Sequence, residues 1–187
     1  MKKFMPQVFI LVSIAILVLS LMGCDRLPRP TGEYVEKVSD GDTLVVSNVD
    51  GAKFTVRFAC VDAPEVPHSK RERESKLNRD VNQFNWGNKA QTRIEQLIKE
   101  NGNFVNLNIT DSDRYGRKVA EVRLADGTFL QQILLQEGLA KVYRPYLRKC
   151  PSKDIVEAAE TQAQKRKIGI WSDPQFIDPW QYRKLSK

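Results

Sequence analysis

Histidine is almost missing from this chain of 187 residues, and cysteine is scarce: His68 stands alone and there are three cysteines. With so few, the chain offers little of the imidazole and thiolate that zinc prefers. His68 falls in a charged, polar stretch and reads as a solvated side chain rather than a catalytic one. No segment repeats itself along the chain, so a solenoid or tandem array is excluded as well.

A long apolar run is present at the amino end. Lys2 and Lys3 precede an almost uninterrupted apolar stretch from Val8 to Met22, and Leu21-Met22-Gly23-Cys24 follows directly. This pattern resembles the lipobox of bacterial lipoproteins, in which the cysteine carries the lipid and becomes the first residue of the mature protein. Leu21 and Gly23 match the usual pattern, and Met22 is a less common occupant of its position. The expected organisation is a signal peptide over residues 1–23, the lipidated Cys24 with a short tether to residue 31, and one folded domain over 32–187. The competing reading is an uncleaved anchor, against which the run is shorter than the roughly 20 residues that span a bilayer. Either reading places the domain outside the cytoplasm, held at a bacterial cell membrane. Asp25 resembles the inner-membrane retention signal of Gram-negative lipoproteins, which for such a host implies the periplasmic face. With Cys24 lipidated, Cys60 and Cys150 remain as an even pair in a compartment that permits disulfides. A Cys60–Cys150 bridge and two separate thiols, with Cys60 a small buried strand residue, both stay open.

The formal charge of +7 and pI near 9.4 favour a polyanionic partner, although a solvated basic surface would give the same balance. Alternation predicts strands over Glu33–Ser39, Thr43–Ser47, Lys53–Val61, Val105–Ile109 and Val119–Ala125, with Asp50-Gly51 and Asp126-Gly127 as turns. Helical spacing of Ala90, Ile94, Leu97 and Ile98 predicts a helix over 88–100, and shorter helices follow over 130–136 and 153–167, the last with Ser152 as its N-cap. The charged stretch 66–86 reads as a loop or a mobile partial helix, either a solvated segment of no defined role or one that steers nucleic acid through its basic excess. Five strands, one helix between the third and fourth and helices after the fifth suggest an α+β fold. Its centre would be a five-stranded OB-type barrel with about three packed helices, a surface that often meets oligonucleotides.

Three segments at strand ends supply oxygen ligands and guanidinium groups: Asp40-Gly41-Asp42-Thr43, Arg57 through Val61-Asp62-Ala63-Pro64-Glu65, and Asp113-Arg114-Tyr115-Gly116-Arg117. In their order and internal spacing they resemble the active-site signature of the staphylococcal nuclease (thermonuclease) family. The resemblance runs from Val38 to Trp171 and includes Gly138-Leu139-Ala140-Lys141-Val142 and Gly169-Ile170-Trp171. Each segment alone has a plainer reading, as a polar turn, a surface ion pair or a charged hairpin loop.

The chemistry suits the residue types. Hydrolysing a phosphodiester builds negative charge on the phosphoryl and leaving oxygens, which cations must meet. Arginine meets it with a planar fork that stays protonated. Carboxylates with no histidine or cysteine beside them suit calcium or magnesium. The resemblance then implies that Asp42, Asp62 and the backbone carbonyl of Ala63 ligate Ca2+, and that Arg57 and Arg117 bind phosphate. It further implies that Glu65 positions or deprotonates the attacking water, and that Tyr115 and Tyr146 border the nucleotide. Position 63 is Ala where the best-known member has Thr, a change that leaves a backbone ligand intact. The resulting expectation is a calcium-dependent endonuclease, largely indifferent to sequence because no base-reading motif is visible, acting on DNA with RNA as a second candidate. It would be a monomer, with no protein partner inferable, tethered by lipid. The rival is a non-catalytic nucleic-acid-binding OB-fold lipoprotein.

Overall fold

The computed structural model describes residues 32–186. The signal peptide, Cys24 and the tether expected over residues 1–31 lie outside the described residues. Five strands close a barrel in the order β1-β2-β3-β6-β5: β1 (Glu33–Asp40), β2 (Thr43–Ser47), β3 (Lys53–Phe58), β5 (Phe104–Ser112) and β6 (Lys118–Arg123). A separate two-stranded ladder joins β4 (Val61–Asp62) to β7 (Lys141–Val142). Helices follow the sequence order α1 (Lys70–Arg73), α2 (Asn78–Glu100), α3 (Leu130–Gln136), α4 (Lys153–Lys165) and α5 (Pro179–Leu185).

Alternation drives the barrel. Leu44, Val46, Val56, Phe58, Val105, Ala120 and Val122 point inward and are almost wholly buried. Ile94, Leu97 and Ile98 of α2 close over them, each contributing about 1.5–3 kcal/mol by leaving water. Parallel pairing of β3 with β6 completes the closure, with Arg57 opposite Val119. On its other side Arg57 lies opposite Thr43 of β2. That register brings three strand ends, and the three segments singled out above, to one end of the barrel.

Several expectations need correction. The strand predicted over 53–61 stops at Phe58, because Cys60 adopts a left-handed backbone with φ of 73°. That turn sends Val61–Asp62 out of the barrel and onto β7. Of the two readings of residues 66–86, the partly helical one holds, and more of the stretch is helix than loop. Ser69 and Glu72 form a complete capping box for α1, and α2 begins at Asn78, well before residue 88. The charged residues of this stretch sit on exposed faces, and only Gln83 and Phe84 turn inward before Gly87, so the apolar stripe was too thin to read. Helix α5 was unforeseen. Ser152 does not cap α4 with its side chain: its N–H donates to Glu121 at 2.7 Å.

Cys60 and Cys150 are joined in a disulfide, with Cα atoms 5.5 Å apart and a sequence separation of 90. Such a bridge stabilises a domain by roughly 2–4 kcal/mol. Among the described residues no helix is long and apolar enough to cross a membrane.

Candidate active site

The turn between β1 and β2 delivers Asp42, which is 1% exposed, and β4 delivers Asp62, which is fully buried. A buried carboxylate is costly unless it is bonded and paired. Asp42 meets that demand with three donors: Thr43 Oγ1 at 3.2 Å, the Ala63 N–H at 2.6 Å and the Arg57 guanidinium. The same guanidinium turns its second nitrogen to Asp62. Two carboxylates from separate elements therefore converge on one cationic position at the barrel mouth. The N–H of Asp42 is in turn held by Asp40 at 3.0 Å. Burial raises the pKa of Asp40, against the opposing attraction of Arg57, His68 and Arg117.

Glu65 is fixed through its backbone as well as its side chain. Gly87 of α2 lies directly against the Pro64-Glu65 backbone, where a Cβ would overlap the Glu65 carbonyl. With its amide satisfying both neighbours, the buried Gln83 accepts from the Glu65 N–H at 3.2 Å and donates to the Ile177 carbonyl at 3.1 Å. The Glu65 carboxylate accepts from Arg183 Nη1 at 2.6 Å. Arg183 also forks onto Asp62, with Nη1 at 3.1 Å from Oδ1 and Nη2 at 2.6 Å from Oδ2. Burial works against the Arg183 charge, but hydrogen bonds and attraction from Asp62 and Glu65 outweigh it and raise its pKa.

The third segment is built differently. Asp113 to Arg117 forms the turn between β5 and β6, in which Asp113 accepts from the N–H groups of Tyr115 and Arg117 and from Arg117 Nε at 2.7 Å. Burial disfavours the Asp113 charge, yet these donors prevail and lower its pKa. Arg117 thus sits at the same end of the barrel, close enough to attract Asp40, without touching Asp42, Asp62 or Glu65. Tyr115 is 69% exposed at the tip of the turn and bonds Arg114 at 2.7 Å. Tyr146, in a 3-10 turn over Arg144–Lys149, is 61% exposed beside Tyr143. The Arg114 guanidinium lies 4.8 Å over the Tyr115 ring, and both tyrosines remain largely exposed.

The donor set fits a hard divalent cation. Asp42 and Asp62 are buried, offer only oxygen, and already share a cation between them in the Arg57 guanidinium. Ala63 places its backbone against Asp42. Among the described residues the group that best gathers potential ligand atoms is Cys60, Glu121 and Cys150, but its sulfurs are spent in the disulfide. Sequence reading brought out Asp42, Arg57, Asp62, Ala63 and Glu65, which the fold assembles, Tyr115 and Arg117 in the β5–β6 turn, and Tyr146 in the 3-10 turn over Arg144–Lys149. It missed Gln83, Gly87 and Arg183. For Arg183 the available signal was Asp178-Pro179, an acidic residue followed by proline at the first helical position.

Comparison with known proteins gives a consistent picture. The family described as staphylococcal nuclease homologue matches residues 55–173. A micrococcal nuclease of Shigella flexneri is 30% identical over 164 residues, covering 83% of this chain and 82% of that protein. An uncharacterized endonuclease of Escherichia coli O157:H7 is 27% identical over 184 residues, covering 98% of each.

Proposed function

Because the chain belongs to the staphylococcal nuclease family and is a hydrolytic nuclease, we propose that it is a calcium-dependent endonuclease that cuts DNA, and RNA as a second substrate, with little regard for sequence. We place it outside the cytoplasm at a bacterial membrane, tethered through Cys24. The observation that carries the catalytic reading is the convergence of buried Asp42 and Asp62 on one cationic position, with Glu65 alongside.

In this reading Asp42, Asp62 and the Ala63 carbonyl hold the calcium ion. Bound there, the ion supplies positive charge to a phosphate oxygen. Glu65 orients a water and takes its proton, so that the water oxygen bonds to phosphorus as the P–O bond to the leaving oxygen breaks. The leaving oxygen takes a proton from solvent and Glu65 gives its own back to solvent, which completes the hydrolysis. Arg57 and Arg117 donate to the phosphoryl oxygens from two sides, where negative charge grows most. The exposed rings of Tyr115 and Tyr146 suit stacking against unpaired bases, which tolerates any sequence. The excess of Lys and Arg over Asp and Glu, which persists without Lys2 and Lys3 of the signal peptide, favours association with a polyanion of any sequence.

Plasmid DNA and RNA incubated with the purified protein test the proposal directly. Fragments are expected with calcium and none with chelator. Binding of DNA without cleavage in calcium would instead establish a binding module. For the anchor, Cys24→Ser is expected to abolish labelling by a fatty-acid probe, and equal labelling of the variant and the parent would dispose of it.

A further inference from the structure

Helix α5 brings to the site a cation that none of the three motif segments contains. Arg183 lies past the carboxyl end of the family match and engages both oxygens of Asp62 together with Oε1 of Glu65. Its delivery is not that of a loose tail. Asp178 accepts from Lys141 at 2.5 Å, Tyr182 packs edge-on against Phe84 and bonds Asp80 at 3.2 Å, and Trp180 lies 5.9 Å from Tyr143. The helix is thus held by contacts that do not involve Arg183, whereas the Arg183 side chain itself is 39% exposed and has solvent to swing into.

Building on the calcium site proposed above, we infer that Arg183 is a positioning residue of the active site, the internal counter-ion of Asp62 and Glu65, which a divalent cation must displace from Asp62 to bind. Both Asp62 oxygens are occupied by guanidinium nitrogens. A calcium ion ligating Asp62 would stand roughly 2.3–2.6 Å from one of these oxygens. At that range it meets the Arg183 fork head-on, and two cations on one carboxylate repel. Arg57 is tied to Asp42 as well and sits deeper, at 18% exposure, so Arg183 is the partner with room to leave. Without Arg183, three carboxylates face one guanidinium; with it, three face two, and a single negative charge is left over in the cation-free site. The arrangement keeps Asp62 and Glu65 in place when no metal is bound and makes metal binding weaker than the carboxylates alone would allow.

Calorimetric titration with calcium, paired with thermal unfolding in chelator and in saturating calcium, tests this on the purified protein. In Arg183→Met, calcium affinity is expected to rise about tenfold, once screening of a half-exposed charge is allowed for. The variant should melt about 2–4 °C lower than the parent in chelator. In saturating calcium that gap should close, because the parent has then given up the same contact. Arg183→Lys, which keeps the charge without the fork, is expected to fall between the two. Unchanged calcium affinity together with an equal melting gap in chelator and in calcium would overturn the inference while leaving the calcium-dependent nuclease standing. If the parent binds no calcium at all, the metal site fails and the inference falls with it.

Discussion

Arg57 and Arg117 are assigned the same chemistry but are built into the molecule in opposite ways. Arg57 issues from the carboxyl end of barrel strand β3, is 18% exposed, and pairs with two buried carboxylates. Arg117 issues from a turn, is 33% exposed, and pairs with Asp113 four residues before it in the same turn. Removing Arg57 therefore disturbs fold and site together, whereas Arg117 is a functional group on a self-contained frame. The difference teaches that a cation in a phosphate site can also be a structural element, and that stability measurements without substrate separate the two cases.

The largest expected effect comes from Arg57→Ala. It leaves Asp42 without its cation and Asp62 with Arg183 alone, and breaking a buried pair in this way costs about 3–5 kcal/mol. Thermal unfolding in chelator should record a fall on the order of 10 °C, with cleavage lost as well. A variant that melts with the parent would show that the pair contributes nothing to the fold and would erase the contrast. Next in size, Arg117→Ala and Glu65→Gln should each lower cleavage by ~10² or more. For Arg117→Ala the stability should move by less than about 1 kcal/mol, as for an exposed ion pair. Cleavage assays set beside unfolding curves check both, and a large loss of stability in Arg117→Ala would refute the self-contained turn.

The smallest effect is an ordering of titrations. Asp113 has a lowered pKa, so the stabilisation it gives the turn is present above the ordinary aspartate value and is lost only as pH falls through its depressed folded value. Asp40 has a raised pKa, so its contribution is complete below the ordinary value and is lost as pH rises through its folded one. Carboxyl-carbon NMR on the metal-free protein should find Asp40 taking up its proton at higher pH than Asp113. The reverse order would mean that the barrel mouth is more hydrated than the turn.

Much of the buried half of the site was legible in the sequence because it is written at the ends of strands. Alternation around Val56 and Phe58 exposes Arg57 as the charged residue in an otherwise apolar or small-residue strand, and Asp-Gly-Asp marks a turn whatever its role. The barrel followed from five such strands. What stayed hidden depends on contacts between distant segments. Gln83 is a polar residue that turns inward because the Glu65 N–H and the Ile177 carbonyl need partners, and no local pattern signals that demand. The first turns of α2 read as loop because their charges face solvent and their apolar stripe consists of little more than Phe84. Arg183 sits in a helix of only seven residues, too short to show a periodic stripe, whose docking depends on Tyr182 finding Phe84 and Asp178 finding Lys141. The disulfide was open on sequence alone, since spacing fixes no pairing.

The contact between Gly87 and the Glu65 carbonyl bears on how this enzyme tolerates change. A single methyl group at position 87 has no free space to enter, and the backbone it would push is the one that carries the proposed base. The helix there is regular, so the glycine answers to its neighbour's proximity and not to a special turn. A saturation screen scored by activity should therefore allow almost nothing at this position, as it would at a catalytic residue. The residue responsible has no side chain and no reach toward any substrate.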